Sequence, residues 1–144
     1  MDSQFVVRVL VVEDNSIWQE IIVRKLQEQA NLQVVGIVAD GLEAVHNAEE
    51  LQPDLMLLDI GLPRLNGIEV AKRVRNAAPA VRILFVSGEC CSDIIREALR
   101  LGALGYVYKP NVGSDLLPTI QAVLEGEQFV GQVDTANLMN HSIG

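Results

Sequence analysis

Five side chains of this 144-residue chain could together move a phosphoryl group: Glu13, Asp14, Asp59, Ser87 and Lys109. Three are carboxylates, one is a hydroxyl and one an amine. Carboxylates crowded within a few ångströms repel one another and raise each other's pKa unless a cation intervenes. A hard divalent ion relieves that repulsion, and Mg2+ suits an open, oxygen-lined site that keeps several waters. A carboxylate with a free oxygen beside such an ion can attack phosphorus and form an acyl phosphate. Asp59 is the candidate nucleophile, because it follows the apolar run Leu55-Met56-Leu57-Leu58 and the other two acids flank it. The phosphoryl oxygens need positive charge and donors, which Mg2+, the Lys109 ammonium and the Ser87 hydroxyl would supply. Singly, each residue has a plainer role: Asp14 as a helix cap, Ser87 as a turn residue, Lys109 as a solvated cation. Convergence on one edge is what would make them a site.

The elements that must bring them together are legible as an alternation. Apolar, β-branched-rich runs at Val7–Val12, Gln33–Val38, Leu55–Leu58, Ile83–Val86 and Gly105–Tyr108 read as strands, three of them continuous enough to be buried on both faces. Between and after them lie helical segments with apolar positions three to five apart. Ile17, Ile21 and Leu26 mark the first, and Leu42, Val45, Ala48 and Leu51 the second. Ile68, Ala71 and Val74 mark the third, Ile94, Ala98 and Leu101 the fourth, and Leu116, Ile120, Val123 and Leu124 the last. Asp40 and Asn66, each followed three residues later by a glutamate, signal helix starts. Pro53 and Pro79 signal stops. Pro118 is expected in the first turn of the last helix, where proline is tolerated. Five βα units predict a doubly wound α/β sandwich with a parallel five-stranded sheet and right-handed crossovers. Ligands in such sheets bind outside the carboxyl ends of the strands. Glu13-Asp14, Asp59, Ser87 and Lys109 all follow strands directly, so they fall on that one rim.

Composition narrows the function class. Apolar residues make up 49% and charged residues 21%, as in an ordinary globular domain. The formal charge is −8, the wrong sign for gripping phosphate backbones. Cys90 and Cys91 are adjacent, a spacing that suits neither a zinc knuckle nor a CxxC redox pair, so they read as small residues at a helix start. No apolar run approaches bilayer length, and Met1-Asp2-Ser3-Gln4 lacks the regions of a signal peptide. A cytoplasmic location without membrane contact is expected.

The stretch Glu13-Asp14, the run Leu57-Leu58-Asp59-Ile60-Gly61-Leu62-Pro63 with Asn66-Gly67, Ser87-Gly88, and Gly105-Tyr106-Val107-Tyr108-Lys109-Pro110 resembles the receiver domains of bacterial two-component response regulators. The resemblance covers about Val7 to Gly126. It implies a flavodoxin-like strand order 2-1-3-4-5, the order known for the chemotaxis member of that family. It also implies that Asp59 accepts a phosphoryl group from a phosphohistidine of a sensor histidine kinase. Asp14, Asp59 and the Gly61 carbonyl would ligate Mg2+, with Glu13 acting largely through water. Lys109 would pair with the phosphoryl group, and the Lys109–Pro110 bond would be cis. Ser87 and Tyr106 would be the switch residues, Tyr106 rotating inward as Ser87 turns to the phosphoryl oxygen. A phosphorylation-dependent homodimer would follow from the altered face of the fourth and fifth helices, or form through the first and fifth.

The segment Gly126-Glu127-Gln128-Phe129-Val130-Gly131 resembles the receiver exit of the NarL/FixJ (LuxR-type) subfamily. Residues 1–126 therefore read as the receiver and 127–144 as a tail or the start of a linker. A helix-turn-helix domain needs about 60 residues, so this segment would reach DNA only through a further domain. A stand-alone receiver that relays by protein contact remains the alternative. His46 reads as a surface residue and His141 as part of the tail. Two other classes fit less well. Aspartate-nucleophile phosphatases place a second acid where Gly61 stands. A flavin-binding module needs a phosphate-cradling loop where Glu13-Asp14-Asn15 stands, which leaves Trp18 as a half-buried helix residue rather than a flavin platform. The expectation is a phosphoacceptor switch rather than an enzyme with turnover.

Overall fold

The computed structural model describes residues 5–89 and 91–130. Its strands are β1 (Val7–Val12), β2 (Leu32–Val38), β3 (Leu55–Leu58), β4 (Arg82–Ser87), β5 (Gly105–Tyr108) and β6 (Phe129–Val130). The helices are α1 (Ser16–Leu26), α2 (Gly41–Leu51), α3 (Gly67–Ala77), α4 (Ser92–Arg100) and α5 (Val112–Leu124), with one 3-10 turn at Lys109–Asn111. All strand pairs are parallel, in the order β2-β1-β3-β4-β5-β6. The expected 2-1-3-4-5 order holds, and the short β6 adds to it along the outer edge of β5. Phe129 and Val130, shortly after Gly126, thus extend the sheet. Residues 131–144, including His141, lie outside the described residues, as does Cys90.

Period-two alternation splits the buried strands between two cores. Leu10, Val12, Met56 and Leu58 face one layer with Val70, Val74 and Ile95. Val9, Val11, Leu55 and Leu57 face the other with Ile22, Leu26, Leu116 and Ile120. Burial on both faces is why these runs are almost wholly aliphatic.

The helix starts form as the sequence indicates. Asp40 Oδ1 accepts the Glu43 N–H at 2.8 Å and Asn66 Oδ1 accepts that of Glu69 at 3.0 Å. Asn15, not Asp14, caps α1, accepting the Trp18 N–H at 3.0 Å. That frees the Asp14 carboxylate for other work. Pro53 and Pro79 follow α2 and α3 closely.

Several expectations need correction. Ile17 is 66% exposed and Ile21 41%, while Ile22 and Leu26 face the core. Helical spacing alone does not decide between two adjacent apolar stripes, and the inward stripe is Trp18, Ile22 and Leu26. Leu42 is likewise exposed, and Ala44 and Ala48 carry the inner face of α2. Pro118 lies inside α5 rather than in its first turn. It is exposed there, so water can serve the Ser114 carbonyl that its missing N–H leaves free. The Lys109–Pro110 peptide is trans. The chain passes from β5 straight into the 3-10 turn, and proline's fixed φ suits that turn's first positions.

Candidate functional site

The site is built by strand adjacency. β1 and β3 pair in register with Val12 opposite Leu58, and the Asp59 N–H donates to the Val12 carbonyl at 3.1 Å. The next residue on each strand, Glu13 and Asp59, therefore emerges side by side. Ser87 ends β4 opposite Tyr108 of β5, so Lys109 leaves the sheet on the same edge.

Oxygens of Glu13, Asp14 and Asp59 lie within 4.8 Å of one another, a group that could hold a metal ion. Glu13 and Asp59 are buried, 1% and 6% exposed, and Asp14 is open to solvent. The Lys109 ammonium sits 2.7 Å from Glu13 Oε1 and 3.3 Å from Asp59 Oδ2. The Ile60 N–H donates to Asp59 Oδ1 at 2.8 Å, and that of Asn15 to Glu13 Oε2 at 3.0 Å. Burial pushes the Glu13 carboxyl above the usual range. The hydrogen bonds from Lys109 and Asn15 oppose that rise, and the Asp59 charge adds to it. A divalent cation would supply the charge that this acidic cluster lacks.

Ser87 is buried, and its Oγ accepts the Glu89 N–H at 3.0 Å. The Tyr106 hydroxyl donates to the Glu89 carbonyl at 2.7 Å, and its ring is fully buried and tilted against Phe85. Tyr106 thus already occupies an inward position, joined through Glu89 to Ser87. Gly61 is exposed beside Asp59, with no atom within 4 Å of where a Cβ would stand.

Sequence reasoning missed two contributors. Trp18 is half-buried as expected, but its ring also lies 5.5 Å from the Lys109 ammonium. Its place in the first turn of the helix after Glu13-Asp14 was the available signal. Gly67 is the second: a Cβ there would meet the Asp59 carbonyl oxygen at 2.1 Å.

The family model for the response regulator receiver domain matches residues 9–121. This chain belongs to that family. The receiver is 43% identical over 108 residues to a protein-glutamate methylesterase/protein-glutamine glutaminase of Thermotoga maritima, covering 74% of this chain and 31% of that protein. It is 31% identical over 134 residues to the transcriptional regulatory protein LnrK of Bacillus subtilis, covering 93% of this chain and 61% of LnrK. The chain therefore spans less than two thirds of the length of either relative. Among solved structures, a LuxR-family two-component response regulator from Aurantimonas overlays it with a TM-score of 0.90 at 28% identity. That overlay covers 96% of this receiver and 99% of the other chain. The receiver's homologues include LuxR/NarL-type regulators, and it is a receiver domain of the two-component response regulator kind. No helix among its described residues is long and apolar enough to cross a membrane.

Proposed function

We propose that Asp59 is the phosphoacceptor of this receiver, taking a phosphoryl group from a phosphohistidine of a sensor histidine kinase in the cytoplasm. The carrying observation is the convergence of Glu13, Asp14 and Asp59 within 4.8 Å, with Lys109 3.3 Å from Asp59. The donor set is all oxygen and one acid faces solvent, which fits Mg2+. Glu13, Asp14, Asp59 and the Gly61 carbonyl would hold it, Glu13 largely through water. When bound, Mg2+ neutralises charge on the transferring phosphoryl oxygens.

The transfer itself follows from the chain's own groups. A carboxylate oxygen of Asp59 attacks phosphorus as the phosphorus–nitrogen bond breaks. The electron pair leaves with the imidazole nitrogen, which takes up a proton. Lys109, held between Glu13 and Asp59, can turn to the new phosphoryl oxygens. The Ser87 hydroxyl can leave the Glu89 N–H for the same oxygens, and the Ser87–Glu89–Tyr106 chain carries that change to β5. The switch is a shift between two packings. No second acid at position 61 supports rapid turnover, so the receiver acts as a switch and not as a hydrolytic enzyme.

Similarity along nearly the whole chain to LnrK and to the LuxR-family structure favours transcription as the output. In that reading residues 1–126 are the receiver and 127–144 lead toward an output domain that binds DNA. Phosphorylation would promote a homodimer.

Incubation with acetyl phosphate and Mg2+ is expected to add one phosphoryl group to the peptide containing Asp59, read by mass spectrometry, and to raise the sedimentation coefficient. Label on another peptide would sink the assignment. Lys109→Ala is expected to keep labelling within about tenfold, because its charge serves mainly the phosphorylated state. It should abolish the label-dependent change in hydrogen exchange at Glu89 and Tyr106. Lost labelling, or retained labelling with an intact exchange response, would overturn the proposed role.

A further inference from the structure

We propose that Gln19 is a positioning residue for the cation site: its side-chain amide holds the Glu13–Asp14 peptide and so keeps the Asp14 carboxylate beside those of Glu13 and Asp59. The proposal rests on the reading of these three acids as ligands of a divalent cation. Gln19 Nε2 donates to the Glu13 carbonyl at 2.6 Å. Its own N–H donates to the Asn15 carbonyl at 2.9 Å, so the side chain reaches back past the helix cap from a fixed place on α1.

The two adjacent acids differ in what fixes them. Glu13 is held at its main chain and its carboxylate alike. Its N–H donates to the Val38 carbonyl at 2.9 Å, Oε1 meets the Lys109 ammonium at 2.7 Å, and Oε2 accepts the Asn15 N–H at 3.0 Å. The Asp14 carboxylate is open to solvent and has no hydrogen bond or ion pair among the described residues. It nevertheless lies within 4.8 Å of oxygens on Glu13 and Asp59. The backbone that carries it therefore sets its direction.

A peptide unit is planar, so fixing the Glu13 carbonyl also fixes the Asp14 nitrogen and the path to its Cα. Among the described residues no other hydrogen bond reaches that unit. Without the Gln19 amide the carbonyl loses its partner, and the plane is free to turn toward water. Glu13 and Asp59 stay with their strands, whereas Asp14 moves with the plane. A carboxylate that has to be ordered as the cation enters lowers affinity, and a filled site is unaffected.

The test titrates wild type, Gln19→Met and Gln19→Ala with Mg2+ alone and follows the amide NMR shifts of Asp14 and Ile60. Methionine keeps the length and helix propensity of glutamine but has no donor. Both variants are expected to raise the Mg2+ midpoint about tenfold, the low end of what losing a hydrogen bond behind a metal ligand costs. Labelling of Asp59 by acetyl phosphate should recover to the wild-type rate at saturating Mg2+. In an Asp14→Ala background, Gln19→Met should shift the midpoint no further. An unshifted midpoint, an equal shift in both backgrounds, or a labelling deficit that saturating Mg2+ leaves in place overturns the proposal. The contact has its own readout in wild type. The Gln19 side-chain amide protons should exchange with water more slowly than those of the exposed Gln27, and equal rates refute the bond. A wild type that binds no Mg2+ would refute the cation site and the role of Gln19 with it. Failure of wild type to label at Asp59 would instead refute the phosphoacceptor assignment, while the Mg2+ midpoints still decide the role of Gln19.

Discussion

Asp59→Asn is expected to take up no phosphoryl group at position 59 from acetyl phosphate and Mg2+, a loss exceeding about a hundredfold. The amide oxygen is a poor nucleophile, and the amide brings no negative charge toward a cation. The same substitution should leave the fold intact. An asparagine oxygen can still accept the Ile60 N–H that now reaches Asp59 Oδ1 at 2.8 Å. Lys109 keeps its partner Glu13 at 2.7 Å. One negative charge also leaves a pocket where Asp59 repels Glu13, so the thermal midpoint should stay within about 2 °C of wild type or rise. Loss of label with an unchanged midpoint isolates the chemistry from folding. Undiminished label on Asp59→Asn would remove the nucleophile from the mechanism.

The legible part of this site was whatever strand adjacency dictates. Aliphatic runs buried on both faces cannot be edge ribbons, and a parallel sheet puts the residues after them on one rim. Glu13, Asp59 and Lys109 meet for that reason alone, and the ion pairs between them follow from proximity. Distances across the rim were not legible, because they depend on how helices settle on the sheet. Trp18 shows the difficulty. Its spacing with Ile22 and Leu26 competes with the stripe of Ile17 and Ile21, and only packing against the sheet decides which turns inward. Once it does, the indole comes within reach of a lysine 91 positions later in the sequence. Tyr106 shows a related limit. A residue that can sit in two packings carries no sequence mark of which one is occupied, and here its hydroxyl is seated on Glu89. The Asn66-Gly67 pair was visible as a helix start, but the need for glycine was not, since it arises from a backbone crossing in space.

That crossing sets the second large effect. Gly67→Ala is expected to lower the thermal midpoint by about 4–12 °C, corresponding to roughly 1–3 kcal/mol of overpacking. An added Cβ would stand 2.1 Å from the Asp59 carbonyl oxygen and 2.8 Å from Ile60 Cα, and both are backbone atoms with little room to yield. The Gly67 N–H also donates to the Ile60 carbonyl at 2.7 Å, so α3 is tied to the loop it would have to push away. Since the Asp59 N–H is held by Val12, a displaced carbonyl tilts the residue about that bond and re-aims its carboxylate. Misplacement by about 1 Å can cost on the order of 100-fold in rate, so labelling should fall by tens-fold even in the folded fraction. Gly61→Ala is the control within the same loop, because its Cβ meets nothing within 4 Å. Its midpoint should shift by less than about 1 °C. Equal behaviour of the two variants would mean that the Gly67 contact does not fix the Asp59 loop, and that the carboxylate owes its aim to the strand pairing alone.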